Sequence, residues 1–174
     1  MKEIFERVSI RKFKDIQVEP EKVEAILRAA MAAPSAGNQQ PWEFFVVTDK
    51  AAIKQLSEIS PYAACAAGAP LVIVPCYRTE GLRWNETVHI DMACAVENML
   101  LEITALGLGG VWLCAAPLED RMTKAEAALH IPAGLRAFAV IPVGYPEDLH
   151  PQQNRFDPSR IHYFQTDSFI DTTT

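Results

Sequence analysis

The stretch Leu106-Gly107-Leu108-Gly109-Gly110-Val111-Trp112-Leu113-Cys114 decides which kind of fold this chain can adopt. Its spaced glycines invite comparison with a dinucleotide-binding loop, but that fingerprint follows a strand and opens a helix. Here the order is reversed. Upstream, Met92, Ala95, Val96, Met99, Leu100, Ile103 and Leu106 recur at helical spacing and mark a long helix, apolar over much of its circumference, that belongs at the centre of the molecule. Downstream, Val111 to Cys114 is short and apolar, as a strand is. A helix that ends in glycine and returns as a strand leaves backbone near Leu113 and Cys114 able to hydrogen-bond a flat ligand.

Moving outward, Glu119 to Leu129 reads as a helix, and Arg136 to Val143 as a strand closed by Gly144 and Pro146. From Glu147 onward the chain turns polar and aromatic without periodicity, as a tail that wraps a surface. Toward the N-terminus, Leu71 to Tyr77 is a buried strand whose Pro75 implies either an edge or a bulge. Pro61 to Gly68 is a short alanine-rich helix, and Glu43 to Thr48 is a strand followed by a helix capped by Asp49. Pro20 starts an amphipathic helix carrying Val23, Ile26, Leu27, Ala30 and Met31, which stops at Pro34. Interleaved helices and strands with no internal repeat and no linker predict one domain over residues 1–174, α+β or mixed α/β.

Composition bounds the function. The net charge of -6 repels phosphate backbones, so neither nucleic acid nor an anionic membrane is an expected partner. Any anion must be bound by a local cluster. No stretch reaches the ~20 apolar residues of a membrane helix, and charge interrupts Met1 to Lys14 throughout, unlike a signal peptide. A cytoplasmic location is expected. Cys65, Cys76, Cys94 and Cys114 form no Cys-x-x-Cys pair, so they read as reduced, buried thiols rather than ligands. His89, His130, His150 and His162 lack metal-ligand spacing, and none is assigned a catalytic role.

Two further segments carry chemistry. In Arg7-Val8-Ser9-Ile10-Arg11 an extended backbone puts Arg7, Ser9 and Arg11 on one side and Val8 and Ile10 on the other. Two guanidinium forks and a hydroxyl suit a phosphate, although a solvated strand edge would read the same way. Pro34-Ser35-Ala36-Gly37-Asn38-Gln39-Gln40-Pro41-Trp42 is a polar loop between helix and strand. The Asn38 and Gln40 side chains both donate and accept, as the edge of a heteroaromatic ring requires. A plain helix-ending turn with Trp42 as an anchor fits the same residues. Arg155, in Asn154-Arg155-Phe156-Asp157, offers another cation.

In order along the chain, R-x-S-x-R-x-F at Arg7 to Phe13, P-S-A-G-N-Q-Q-P-W at Pro34 to Trp42, L-G-L-G-G-V-W-L at Leu106 to Leu113 and N-R-F-D at Asn154 to Asp157 resemble the flavin-dependent nitroreductase family over residues 1–165, as a short member. The resemblance implies an α+β fold with a central mixed, mostly antiparallel sheet flanked by helices, assembled as a homodimer with FMN at the interface. By motif position, Arg7, Ser9, Arg11 and Arg155 would hold the flavin phosphate. Pro34, Ser35, Ala36 and Asn38 would reach in from the partner subunit, with Gln40 nearby. Leu113 and Cys114 would face the flavin ring through their backbone. Many larger relatives have glutamate where this chain has Cys114.

The resemblance further implies an NAD(P)H-dependent flavin oxidoreductase. NADH or NADPH would reduce the flavin and leave, and a small-molecule electron acceptor, such as a nitroaromatic or a quinone, would replace it in a ping-pong cycle. Reductive dehalogenation, flavin cleavage and non-catalytic flavin binding stay open as alternatives on the same fold.

Overall fold

The strand β2 (Leu71–Arg78) organises the architecture in the computed structural model, which describes residues 2–165 and 168–170. Residues 71–77 are buried, as a strand covered on both faces must be, so the sequence is a continuous apolar run. On one side β2 pairs antiparallel with β1 (Trp42–Val47), from Trp42 opposite Tyr77 to Val47 opposite Val72. On the other it pairs with β5 (Leu135–Ala137) and β6 (Ala139–Gly144), also antiparallel. The outer face of β6 takes up β3 (Gly109–Gly110) and β4 (Leu113–Cys114). The N-terminal segment then adds a parallel bridge, Ser9 to Gly110, and an antiparallel one, Phe13 to Pro146. The sheet is therefore mixed and mostly antiparallel.

Pro75 resolves in an instructive way. It lies in a strand paired on both sides, not at an edge. Its carbonyl accepts from Phe138 N at 2.8 Å, so its missing N–H faces the same neighbour. There the partner breaks: between the pairs Ile73–Ile141 and Cys76–Ala137, three steps along β2 are matched by four along β5 and β6. The bulge thus sits on the partner, at the donor that proline lacks, and splits the expected 136–143 strand at Phe138.

The helices follow the periodicities that predict them. Helix α2 (Pro20–Met31) starts on Pro20, and α5 spans Glu119–Leu129. Helix α3 (Lys50–Leu56) is capped by Asp49, whose carboxylate accepts from Ala52 N at 2.8 Å. Helix α4 (Val88–Ala105) buries Met92, Ala95, Val96, Met99, Leu100 and Ile103. It packs against α2 and the sheet, while α3 packs against α5. Fully buried Ile26, Leu56, Ile73, Met99 and Ile103 each contribute about 1.5–3 kcal/mol of burial.

Three details differ from the sequence expectation. A four-residue helix, α1 (Glu3–Glu6), precedes Arg7. The alanine-rich segment forms only a 3-10 turn, Ala64–Gly68. Beyond a 3-10 turn at Pro158–Arg160, the tail carries a small hairpin of β7 (Tyr163–Gln165) and β8 (Ser168–Ile170).

Candidate flavin-phosphate cavity and its flanking loops

The N-terminal alternation holds in part. Ile10 is buried and outside the lining, while Arg7, Ser9 and Arg11, with half-buried Val8 between them, line a cavity of about 290 Å³ together with Arg155. Residues 150–153 complete its wall. The polar run there carries no motif, so His150, Gln152 and Gln153 were not legible as lining residues. Gln152 ties the tail to the N-terminus, its Nε2 donating to Arg7 O at 2.9 Å and to Ile4 O at 3.1 Å.

The cavity is short of negative charge. Arg7 Nε has Glu97 Oε1 only at 4.0 Å, and among the described residues Arg11 and Arg155 form no ion pair. Arg11 Nη1 donates only a long 3.4 Å bond to Ser9 O. Arg11 and Arg155, with no ion pair among the described residues, and Arg7, with Glu97 only at 4.0 Å, are a donor set that can take up an anion. At about 290 Å³ the space lies just below the ~300 Å³ at which drug-sized ligand pockets begin, so it fits a charged terminus rather than a whole cofactor.

Gly109 explains how this wall is docked. A Cβ there would lie 2.7 Å from Ile10 Cβ, closer than real side chains approach. Glycine at Gly109 is what lets the N-terminal segment close on β3, with Ile10 N donating to Gly110 O at 3.0 Å.

The second segment, 34–40, lines none of that cavity. Pro34, Asn38 and Gln40 are exposed, and Ser35 and Ala36 half-buried. The backbone is tightly wound: Gly37, Asn38 and Gln40 have φ of 54°, 55° and 47°. Glycine and asparagine tolerate this region, but for glutamine it costs about 1–2 kcal/mol. Three residues outside the motif, Asp91, Arg78 and Trp84, hold it together with Ser35 and Gln39 from within. Asp91, 4% exposed on α4, accepts from Ala36 N at 2.9 Å and Gln39 Nε2 at 2.7 Å. Arg78 Nη2 donates to the carbonyls of Gln39 and Gln40 at 3.0 and 2.9 Å. Gln39 and Trp84 bond reciprocally, Trp84 N to Gln39 Oε1 at 3.0 Å and Gln39 Nε2 to Trp84 O at 3.1 Å. Ser35 Oγ accepts from Gln40 N at 3.0 Å. Asp91 left one signal in the sequence, a carboxylate at helical spacing among the buried positions of α4.

The third segment corrects an expectation. Leu113 is buried, but Cys114 is exposed, because the two alternate across β4. Cys65 and Cys94 are half-buried, so only Cys76 is the buried thiol expected of all four. Burial, with Glu126 and Glu43 nearby, pushes Cys76 up to about 12. Below the sheet, Tyr77, His89, Phe138 and Trp112 form a ring cluster, with His89 Nε2 3.2 Å from Tyr77 OH. Burial holds the His89 imidazole below its usual value.

Among the described residues no helix is long and apolar enough to cross a membrane. The chain matches the Nitroreductase family over residues 4–65 and 60–145. It is 40% identical over 166 residues, 93% of this chain and 95% of the other, to an Archaeoglobus fulgidus protein provisionally named NADH dehydrogenase/NAD(P)H nitroreductase. A provisionally named NADH oxidase of Clostridium acetobutylicum superposes with a TM-score of 0.90 at 46% identity, covering 94% and 99% of the two chains. An FMN-dependent nitroreductase of Clostridium difficile R20291 does so at 0.86 and 29% identity, covering 94% and 98%. With the matched segments reaching from α1 to the end of the sheet, the chain belongs to the Nitroreductase family.

Proposed function

We propose that this protein is an FMN-dependent oxidoreductase that takes electrons from NADH or NADPH and passes them to a small acceptor such as a nitroaromatic or a quinone. One observation carries the reading: Arg7, Ser9, Arg11 and Arg155, from opposite ends of the chain, converge on one cavity where, among the described residues, Arg11 and Arg155 form no ion pair and Arg7 has Glu97 only at 4.0 Å. Such a donor set matches a phosphate monoester. The family supports a flavin oxidoreductase, and the Clostridium difficile relative is FMN-dependent.

Bound FMN would supply the hydride-accepting and hydride-donating chemistry. The chain's own residues bind and orient it. Arg7, Arg11 and Arg155 neutralise the phosphate and Ser9 adds a hydroxyl. The backbone at Leu113 and Cys114 would hold the ring. Cys114 need not act through its side chain, since the chemistry requires no obligatory acid or base.

The loop with Pro34, Ser35, Ala36, Asn38 and Gln40 is assigned to the flavin of a second copy in a homodimer. This is supported by its exposed, internally clamped geometry and by exposed Phe5, Leu149 and Phe156 on the same chain. A monomer would then bind flavin poorly.

The test is direct. Purified protein should carry or take up FMN, bleach on anaerobic addition of NADH or NADPH, and recover colour when a quinone or nitroaromatic is added. Protein that cannot bind FMN would refute the proposal. Protein that bleaches slowly with both donors, and is reoxidised by no acceptor, would be a flavin carrier instead.

A further inference from the structure

Resting on the reading of 34–40 as flavin-facing, we infer that Arg83 and Trp84 form the acceptor-recognition surface of the site and select flat aromatic acceptors bearing a carboxylate or sulfonate. The segment between β2 and α4 is short, and Trp84 is its anchor. Its backbone is fixed at both polar atoms by Gln39, and Trp84 O also accepts from Thr87 Oγ1 at 2.9 Å. Its indole covers the Gly37 turn so closely that a Cβ on Gly37 would stand 3.0 Å from Trp84 Nε1. The residue is nonetheless 39% exposed. An exposed aromatic surface held by backbone hydrogen bonds adds stacking area without a large ordering cost.

The charge on that surface is positive. The Arg83 guanidinium lies 5.1 Å from the Trp84 ring centroid and is exposed. Glu80 and Glu86 belong to the same segment, yet among the described residues Arg83 forms no ion pair with either. A cation stacked on an indole and unneutralised by a carboxylate can receive a planar anion, with the guanidinium meeting the oxygens and the ring meeting the aromatic face. The protein as a whole carries -6, so an anionic acceptor gains nothing from the long-range field. Its preference must be local, and Arg83 is the unpaired cation next to the clamped loop.

The experiment uses FMN-loaded protein whose flavin occupancy is read from absorbance. Benzoate and benzamide are titrated against the oxidised holoprotein by the shift in the flavin spectrum. The kcat/KM values for 4-nitrobenzoate and 4-nitrobenzamide are compared at low salt. The wild type should favour the anion roughly fivefold in both assays, the size of one exposed charge contact. Arg83→Gln should bring both ratios close to one, Arg83→Lys should keep most of the preference, and high salt should erase it in the wild type. A wild type indifferent to charge, or an Arg83→Gln protein with full flavin and an unchanged ratio, overturns the inference while leaving the flavin reading intact. Failure to bind FMN removes both.

Discussion

The two halves of the proposed flavin site are built in opposite ways. The Arg7, Ser9, Arg11 and Arg155 cluster is an open cavity in which, among the described residues, Arg11 and Arg155 form no ion pair and Arg7 has Glu97 only at 4.0 Å. The 34–40 loop is the reverse: its backbone and Gln39 are held within the chain by Asp91, Arg78, Trp84 and Ser35, and it lines none of the Arg7, Ser9, Arg11 and Arg155 cavity. An anion site tolerates unpaired cations because the ligand supplies their partner. A ring-holding loop must keep its shape before the ligand arrives, so strain at Gln40 persists only where neighbours over-determine it.

The cavity half is most vulnerable where Gly109 meets Ile10. Gly109→Val should press methyl groups into Ile10, lowering unfolding free energy by about 1–3 kcal/mol and releasing the N-terminal wall, so that flavin retention is lost as well. Thermal unfolding and bound-flavin absorbance measure the two effects.

The loop half should fail separately. Asp91→Ala leaves Ala36 N without its acceptor and removes the shortest bond of Gln39 Nε2, which keeps Trp84 O, at a cost of about 2 kcal/mol. Hydrogen exchange should rise in 34–40 and stay unchanged at Ile10. If it rises equally in both, the halves are not independent. Asp49→Ala serves as a remote control: removing the α3 cap should cost about 1 kcal/mol in urea unfolding and leave flavin retention alone.

The smallest effect is a pH dependence below the sheet. His89 is held below its ordinary value by burial, so the folded state resists protonation. Its contribution is fully present above the unfolded value near 6.5 and is lost as pH falls from there through the lowered folded value. Unfolding scans should show Tm declining below about pH 6.5, and His89→Gln should flatten that decline.

Local patterns were readable where local physics decides. The start of α2 follows from Pro20, although the helix ends at Met31, before the Pro34 stop, and the span of α5 matches its reading; the side of the chain on which Arg7, Ser9 and Arg11 sit is what a period of two predicts. The order of helix, glycine and strand at 106–114 was enough to exclude a dinucleotide loop. What stayed hidden depends on pairing over long separations. The bulge opposite Pro75 lies on a strand more than sixty residues away, at Phe138. The Asp91 and Arg78 clamps reach the loop from α4 and β2, and nothing in 34–40 names them. Exposure of Cys114 follows from which side of a two-residue strand is covered, which hydropathy alone does not reveal.

If the N-terminal cations hold a phosphate, FMN and riboflavin, which lacks that group, must bind differently. Equilibrium binding of both should be measured on wild type and Arg11→Ala. The wild type should prefer FMN strongly, and Arg11→Ala should weaken FMN roughly ten- to hundredfold, the loss of one charge-assisted contact, while riboflavin binding stays the same. Equal affinity for the two flavins in the wild type, or an Arg11→Ala protein that keeps its preference for FMN, would contradict the account.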